Sequence, residues 1–159
     1  MSGEAAGNIG VQMRKAREDD LEAIVDLLAD DGLGQSREDS SRPLAAAYRD
    51  AFRAIEADPN QLLLVADVDG EVTGTLQLSF IPGLSRLGAW RGQIEAVRVS
   101  RDARGSGLGQ KMIEWAIGEC RRRGCSLVQL TSDKSRSDAL RFYERLGFRA
   151  SHEGFKLTL

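Results

Sequence analysis

IEAVRVSRDARGSGLGQKMIEWA, residues 94–116, is the stretch of this chain that decides the fold prediction. Its first part alternates as a β-strand does, and its last part places apolar residues at helical spacing. Between the two, Gly105, Gly107 and Gly109 follow one another at every second position. When a strand passes through a glycine-rich loop directly into a helix, the first amides of that helix have no backbone partner. The stretch therefore predicts a site for a phosphate or pyrophosphate group.

Two common nucleotide-binding motifs do not fit this loop. A P-loop needs Gly-Lys-Ser/Thr, whereas Gly109 is followed by Gln110. A dinucleotide fingerprint needs GxGxxG and an acidic residue after the next strand, whereas these glycines are spaced GxGxG. The alternative is that the glycines form only a flexible turn, although a turn explains one glycine better than three.

The pattern that remains is Arg-x-x-Gly-x-Gly, formed by Arg104, Gly107 and Gly109. It resembles the acetyl-coenzyme A signature of the GCN5-related N-acetyltransferase (GNAT) superfamily. Residues 139–148, ALRFYERLGF, are similar to a second motif of that family. The alternative for this second motif is the apolar stripe and cap of an ordinary packed helix. With both motifs, the resemblance covers nearly the whole chain from Val11.

The resemblance implies that acetyl-CoA is the acetyl donor, and it implies where the donor binds. In the family a bulge splays strand four from strand five, and the pantetheine arm pairs with the opened edge, here the backbone of Val97, Arg98 and Val99. The amide near Val97 is implied to polarise the thioester carbonyl. The amides implied to hold the pyrophosphate are those of Arg104, Gly105, Ser106, Gly107, Leu108, Gly109 and Gln110.

Two side chains are catalytic candidates by the same comparison. Tyr143 matches a family tyrosine that donates a proton to the departing thiolate, and the alternative is a packed aromatic whose hydroxyl reaches solvent. Glu95 is similar to a glutamate that contacts the acceptor amine or a water that relays its proton. The alternative for Glu95 is a surface carboxylate paired with an arginine. Strand alternation predicts that Glu95 shares a face with Val97 and Val99.

Three other residues have no assigned role. Many relatives carry asparagine seven residues before the tyrosine, where this chain has Arg136. A local salt bridge and a contact with the cofactor phosphates both stay open for Arg136. His152 is interpreted as structural. Trp90 either lines the acceptor pocket or, as the favoured interpretation, fills the core.

Apolar periodicity along the chain predicts the element order β-α-α-β-β-β-α-β-α-β-β. This is an α/β fold of the mixed α+β type, with a mainly antiparallel sheet of about seven strands and four flanking helices. Asp69 and Gly70 predict a hairpin turn, and Pro43 predicts the start of the second helix. Residues 148–159 are predicted to form a final hairpin that turns near Gly154. Residues 1–10 are predicted to be a disordered leader, and residues 11–159 a single N-acetyltransferase domain.

Composition limits the classes of partner and location. A formal net charge of −2 argues against a nucleic-acid partner. No stretch approaches the ~18 apolar residues of a membrane span, and no signal peptide is recognisable, so we expect no membrane partner and a cytoplasmic location. Cys120 and Cys125 match no zinc motif, so no metal site is predicted.

Three functional classes follow from these patterns. The first is an N-acetyltransferase whose small-molecule acceptor attacks through a primary amine, with a tetrahedral intermediate. The second is a protein lysine or N-terminal acetyltransferase, and the third is an acyl-CoA-binding module without catalysis. A closed pocket would favour a small acceptor, and an open groove a peptide. A homodimer is suggested only by analogy with relatives, which often pair.

Overall fold

The structure is a computed structural model that describes residues 10–159, so residues 1–9 of the predicted leader lie outside the described residues. The strands are β1 (Val11–Lys15), β2 (Gln61–Val68), β3 (Glu71–Pro82), β4 (Trp90–Val99) and β5 (Cys125–Leu130). The helices of nine or more residues are α1 (Leu21–Ala29), α2 (Ala46–Ala57), α3 (Leu108–Arg122) and α4 (Ser137–Arg145).

The strands form one five-stranded sheet whose order is β1-β2-β3-β4-β5. All neighbouring pairs are antiparallel except β4 and β5, which are parallel because α3 crosses over between them. The predicted mixed class and mainly antiparallel sheet are therefore confirmed, with five strands instead of about seven. Among residues 10–159, none of the helices has the length and apolar character needed to cross a bilayer.

The predicted final hairpin over residues 148–159 is wrong, since no strand follows β5. The segment has the alternating pattern of a strand, but a strand is stabilised by a partner that accepts its ladder hydrogen bonds. The second helix begins at Ala46 and not near Pro43, because Ala45 before it is still extended, with φ −55° and ψ 139°.

Apolar side chains form a core on each face of the sheet. On one face, α3 covers the centre of β2, β3 and β4, and the fully buried side chains there include Leu64, Leu76, Leu78, Ile94, Met112 and Ile113. On the other face, α1 and α2 cover Val65 of β2 and pack through Ile24, Val25 and Phe52, together with Leu44 just before α2. Val72 packs on this second face, although simple alternation would place it on the same face as Leu76 and Leu78, because the β2–β3 register shifts between Ala66 and Asp67.

Two glycines allow α3 to pack directly against the strands beneath it. A Cβ atom at Gly92 would overlap Sγ of Cys120, and one at Gly74 would lie 2.6 Å from Sδ of Met112. Both sulfur-bearing side chains are fully buried, so neither can move into solvent. This close contact fixes α3 over β4, and with it the position of the loop that precedes the helix.

An ion-pair cluster joins the start of α1 to the sheet. Asp20 accepts hydrogen bonds from Nη1 and Nη2 of Arg14 at 2.7 and 2.9 Å and from the amide of Arg17 at 2.7 Å. Nε of Arg14 also donates to Asp67 of β2 at 3.0 Å. The guanidinium of Arg14 lowers the pKa of the Asp20 carboxyl, although burial of the carboxyl opposes this effect. Paired charges of this kind are tolerated at a buried position because their hydrogen bonds are satisfied.

Candidate active site

The site begins at a bulge in β4. Gln77 pairs with Glu95, and Thr75 pairs with Arg98. On β4, Ala96 and Val97 therefore lie together opposite one residue of β3, Leu76. Ala96 has a φ of 53°, in the left-handed region that non-glycine residues seldom adopt. A bulge bends its strand, and the bend directs the remainder of β4 away from its neighbour.

A gap between β4 and β5 opens at this bulge. The two strands pair from Trp90 with Cys125 as far as Ile94 with Leu130, but β4 continues to Val99. Among residues 10–159, residues 95–99 therefore have no strand on the β5 side, although β3 still pairs with them on the other side. The predicted splayed cleft is confirmed. The part of β4 beside this cleft includes Val97, Arg98 and Val99, the residues whose backbone is predicted to pair with an amide-rich ligand.

The bulge also reverses which face of the sheet each of the following residues of β4 occupies. Glu95 and Arg98 lie opposite Gln77 and Thr75, which are two residues apart, so they share one face of the sheet. Val97 and Val99 instead pack with the core on the α3 side. The prediction that Glu95 shares a face with the two valines is therefore wrong, because an inserted residue breaks the period of two. Glu95 itself is exposed.

The glycine-rich loop brings unpaired amides to the end of this gap. Gly105 and Gly107 have φ values of 79° and 86°, so both turns of the loop need glycine. The first backbone bond of α3 joins the amide of Lys111 to the carbonyl of Gly107 at 3.1 Å. The amides of Gly109 and Gln110 precede that bond and have no acceptor within the helix. They are the best-placed members of the predicted pyrophosphate-binding set.

Other members of that set already have partners in the loop itself. The amide of Arg104 donates to Arg101 at 3.3 Å, and the amide of Ser106 donates to Ala103 at 3.3 Å. The Leu108 amide donates to the Ser106 hydroxyl at 3.4 Å. These bonds shape the loop, so the amides free to meet a ligand are fewer than the sequence predicts.

The arginine of the motif has a structural role in the fold. Nη2 of Arg104 donates to the carbonyl of Asp30 at 2.9 Å, and its Nε donates to the carbonyl of Val99 at 3.2 Å. Arg101 pairs with the Asp30 carboxylate at 2.7 Å. The two arginines thus tie the end of α1 to the end of β4, which places the α1–α2 loop beside the gap.

Asp31, in the loop between α1 and α2, pairs with two arginines that lie on opposite sides of the gap. Asp31 accepts a hydrogen bond from Nη2 of Arg136, and its Oδ2 lies 3.1 Å from Nε of Arg98. Arg98 belongs to β4, whereas Arg136 follows β5. The Gly34 amide also donates to Asp31. Arg136, which stands where many relatives have asparagine, does form a salt bridge, but its partner is 105 positions away and not a local residue.

Arg98 is partly buried, and it lacks a full set of hydrogen bonds. Its side chain is 18% exposed, and Nη1 donates to the carbonyl of Val97 at 2.9 Å. Its Nε–H is not directed at Asp31, and among residues 10–159 it has no hydrogen-bond acceptor. Burial lowers the pKa of Arg98, and the Asp31 carboxylate opposes that shift. A buried charged donor without an acceptor is unfavourable, so an anionic group bound here would be stabilised.

Tyr143 lies close to this cluster. Its ring packs edge-to-face on Phe142 and Phe148, with centroid distances of 5.1 and 5.9 Å. Burial raises the pKa of the Tyr143 phenol, while the positive charges of Arg136 and Arg98 lower it by a smaller amount. The phenol is therefore protonated at neutral pH, as a proton donor must be.

The motif segments meet where α3 and α4 approach β4. A Cβ atom at Gly109 would lie 3.7 Å from Cζ of Phe142 and 3.7 Å from Cγ2 of Val99. The glycine-rich loop, the end of β4 and the helix of Tyr143 are thus in contact. Separate from this site, His152 is exposed beside Ser151, at 2.7 Å between Nδ1 and Oγ.

Trp90 and the cysteines lie away from the gap. Trp90 is 37% exposed, so the favoured interpretation that it fills the core is wrong, because its position at the start of β4 leaves it at the edge of the packed region. Burial raises the pKa of Cys120 to about 12, so this thiol is unreactive at neutral pH. Within residues 10–159, no three potential metal ligands cluster together.

Comparison with known proteins gives a consistent result. The model of the acetyltransferase (GNAT) family matches residues 21–148, which include the bulge, the glycine-rich loop and Tyr143. Aminoalkylphosphonate N-acetyltransferase of Salmonella typhimurium is 36% identical over 113 residues, 71% of this chain and 73% of the relative. Glucosamine 6-phosphate N-acetyltransferase of Trypanosoma brucei brucei is 38% identical over 90 residues, 57% of this chain and 59% of the relative. A solved structure from Bacillus halodurans C-125, described as a transcriptional regulator, has a TM-score of 0.92 and 50% identity, covering 94% of this chain and 100% of that one.

Proposed function

Because this chain belongs to the GNAT family of acetyltransferases, it is an acyltransferase, and we propose that it moves an acetyl group from acetyl-CoA to the primary amine of a small anionic molecule. The anionic group of the acceptor is a phosphonate, a phosphate or a group of similar charge. The observation that carries the proposal is the convergence of Arg98 and Arg136 on the gap beside Tyr143.

The residues around the gap fit acetyl-CoA as the donor. The unpaired amides of Gly109 and Gln110 suit its phosphates. Residues 95–99, which lie beyond the last β4–β5 pair, suit its amide-rich arm, although the carbonyls of Val97 and Val99 already accept bonds from arginine side chains. When bound, acetyl-CoA supplies an acetyl thioester that a neutral amine can attack. Because this fit depends on backbone groups, the side chains along β4 remain available to contact the acceptor.

Three groups of the chain have roles in the transfer. Tyr143 holds its proton at neutral pH, since its pKa is raised, and donates it to the leaving thiolate. The amide near Val97 donates a hydrogen bond to the developing oxyanion. Glu95, at the first position of β4 beyond the last β4–β5 pair, accepts the amine proton directly or through water.

The charge of the site supports an anionic acceptor. Arg98, Arg136 and Asp31 together have a formal charge of +1, from two guanidinium groups and one carboxylate. The guanidinium group forms paired hydrogen bonds with oxyanions such as phosphonate and phosphate. The names of the Salmonella and Trypanosoma relatives identify acceptors that combine an amine with a phosphonate or a phosphate. An acceptor of this kind would also supply the acceptor atom that Nε of Arg98 lacks.

We infer an enzymatic role and not DNA binding, although the Bacillus halodurans protein is described as a transcriptional regulator. DNA-binding surfaces neutralise phosphates with an excess of lysine and arginine. This chain has 22 basic and 24 acidic residues, a formal net charge of −2. The two arginines of the site are shared with Asp31, which suits one anionic group better than a polyanion.

The proposal is tested by measuring thiol release from acetyl-CoA with aminoalkylphosphonates and with alkylamines of equal length. We expect kcat/KM to be about 10- to 100-fold higher for the phosphonates, since a hydrogen bond to a charged group contributes ~1.5–3 kcal/mol. Arg136→Gln should remove most of that preference and leave the rate with neutral amines nearly unchanged. Arg141→Gln is the matched control, because Arg141 is exposed on α4 and, among residues 10–159, pairs only with Asp138.

Each alternative class predicts a different result in this assay. Equal rates with neutral amines would contradict the anionic acceptor but not the acetyl transfer. A preference for peptides over all free amines would indicate a protein acetyltransferase. Tight binding of acetyl-CoA without thiol release for any amine would indicate a binding module without catalysis.

A further inference from the structure

The sheet face that carries Glu95 also carries a row of four side-chain amides, one from each of the strands β2 to β5. We call this row the amide patch, and its members are Gln61, Gln77, Gln93 and Gln129. Gln77 lies directly opposite Glu95 on β3, and Gln93 precedes Glu95 by two residues on β4. Since residues two apart on a strand share a face, the patch borders Glu95 on two sides.

The helices α1 and α2 cover only part of this face. They pack around Val65 of β2, and Thr75, which lies opposite Val65 on β3, is 1% exposed. Two residues further along β3, Gln77 is only half-buried, and Gln93 on β4 is half-buried as well. Gln129 on β5 is exposed. The patch therefore begins where the cover of the helices ends, at a surface that a small molecule can reach.

The side-chain amides of the patch bind one another in pairs. Nε2 of Gln129 donates to Oε1 of Gln93 at 2.6 Å, and Nε2 of Gln77 donates to Oε1 of Gln61 at 3.0 Å. Among residues 10–159, Nε2 of Gln93 and Oε1 of Gln77 form no hydrogen bond within the protein. One neutral donor and one neutral acceptor thus remain beside Glu95. Because the pairing fixes both side chains before a ligand arrives, binding there costs little ordering.

We propose that the amide patch binds a neutral polar group of the acceptor, a hydroxyl or an amide, and this inference rests on the proposed function. Along β4, the side chains on this face follow the order Gln93, Glu95 and Arg98. With the amine at Glu95 and the anionic group at Arg98, the part of the acceptor on the far side of the amine meets the patch. A hydroxyl group both donates and accepts, so it uses Oε1 of Gln77 and Nε2 of Gln93 together.

The order of these three side chains sets the connectivity of the acceptor. Residues two apart on a strand lie ~7 Å apart, so their side chains can bind neighbouring groups of one small molecule. The amine is then carried by an internal carbon atom, with the anionic group on one branch and the neutral polar group on the other. An acceptor whose amine is terminal fills only two of the three positions. The patch is uncharged, so a second charged group is disfavoured there.

The test measures thiol release from acetyl-CoA with three amines that differ by one group at a time. They are (2-amino-3-hydroxypropyl)phosphonate, 2-aminobutylphosphonate, in which methyl replaces the hydroxyl, and 2-aminobutane, in which hydrogen replaces the phosphonate. We expect kcat/KM to be higher for the hydroxyl compound than for the methyl compound. The hydroxyl group also makes the amine less basic, so the decisive quantity is the change in this hydroxyl-to-methyl ratio when the patch is substituted.

Gln93→Met should lower the hydroxyl-to-methyl ratio about 2- to 10-fold, because it removes one neutral hydrogen bond and keeps the length of the side chain. Gln12→Met is the matched control, since Gln12 is exposed on β1 at the opposite edge of the sheet, and it should leave the ratio unchanged. Gln77→Met should lower the ratio by a similar factor from the neighbouring strand. It replaces Gln93→Met if thermal unfolding finds that variant unfolded.

Two results would overturn the role of the amide patch. One is a wild-type protein that uses the hydroxyl compound no better than the methyl compound. The other is a hydroxyl-to-methyl ratio that stays the same in Gln93→Met and Gln77→Met. If 2-aminobutylphosphonate is still preferred over 2-aminobutane, either result removes this inference alone and leaves the anionic acceptor standing. Equal rates with those two amines would instead contradict the proposed function, on which the inference rests.

Discussion

Replacing Gly92 with alanine tests how closely α3 packs on β4. The added Cβ atom would overlap Sγ of Cys120, lie 3.4 Å from Cβ of Cys120 and lie 3.8 Å from Cδ1 of Leu78. Cys120 is 1% exposed and Leu78 is 0% exposed, so the surrounding atoms have no free space to enter. Overpacking of this kind costs about 1–3 kcal/mol, and the overlap with sulfur places Gly92→Ala near the upper end of that range. A chain of this size should lose about 2–4 °C in Tm for each kcal/mol.

A double-mutant cycle isolates the contact that causes the loss. Cys120→Ala removes the sulfur atom that the new methyl group would overlap, so Gly92→Ala should cost much less in that background. The coupling free energy should be ~1–2 kcal/mol, measured by urea unfolding. Gly118→Ala is the matched control, because Gly118 lies in α3 with no atom within 4 Å of an added Cβ. It should increase the free energy of unfolding by ~0.5–1 kcal/mol through helix propensity.

Two outcomes would refute this account of the packing. One is a Gly92→Ala variant as stable as the wild type, which would mean that α3 can move away from β4 at little cost. The other is an equal loss in both backgrounds, which would mean that the methyl group conflicts with something other than Cys120.

Three further predictions concern the site and its support. Tyr143→Phe should lower acetyl transfer by about 10²-fold or more while calorimetry finds acetyl-CoA affinity unchanged, and the alkaline decline of wild-type activity should lie above the ordinary phenol pKa of about 10, because burial raises the pKa of Tyr143. An alkaline limb well below pH 10 would contradict that role. Ala96→Gly should stabilise the protein by ~0.5–1 kcal/mol in urea unfolding, since glycine adopts the φ of 53° without strain, and a loss of stability would contradict the strained bulge. Asp20→Asn should destabilise the protein by ~2–3 kcal/mol at pH 7, because charge-assisted bonds from Arg14 are lost. Since the pKa of Asp20 is lowered in the folded state, this contribution is present above the ordinary carboxyl pKa of about 4 and disappears as the pH falls through the folded value, so the two proteins should converge in acid.

Local chemistry explains the parts of the fold that the sequence predicts. The hairpin turn at Asp69 and Gly70 is confirmed, with φ values of 53° and 89°, because only a few residues tolerate these angles. The glycine-rich loop is confirmed as the start of α3, since Gly107 is its N-terminal cap. In both cases the residues that define the structure are adjacent in the chain.

The errors arise where structure depends on residues that are distant or inserted. Nothing in the residues around Ala96 identifies that position as a bulge. The bulge nevertheless places Glu95 and Val97 on opposite faces of the sheet, where simple alternation predicts the same face. Asp31 and Arg136 are 105 positions apart, so no local pattern predicts their contact. The alternation from Phe155 onwards predicts a strand, but a pattern on one segment does not specify which edge it joins.

The order of the sheet has a consequence for the path of folding. β2, β3 and β4 are neighbours both in the chain and in the sheet, so this meander requires only short loop closures. β1 joins β2 across the two helices of residues 21–57, and β5 joins β4 only after α3 has crossed over. Contacts of low sequence separation form earliest, because less chain entropy is lost when they close. We therefore expect the meander to be the folding nucleus and the gap beside Tyr143 to be assembled last, so that substitutions in β5 should accelerate unfolding more than they slow folding.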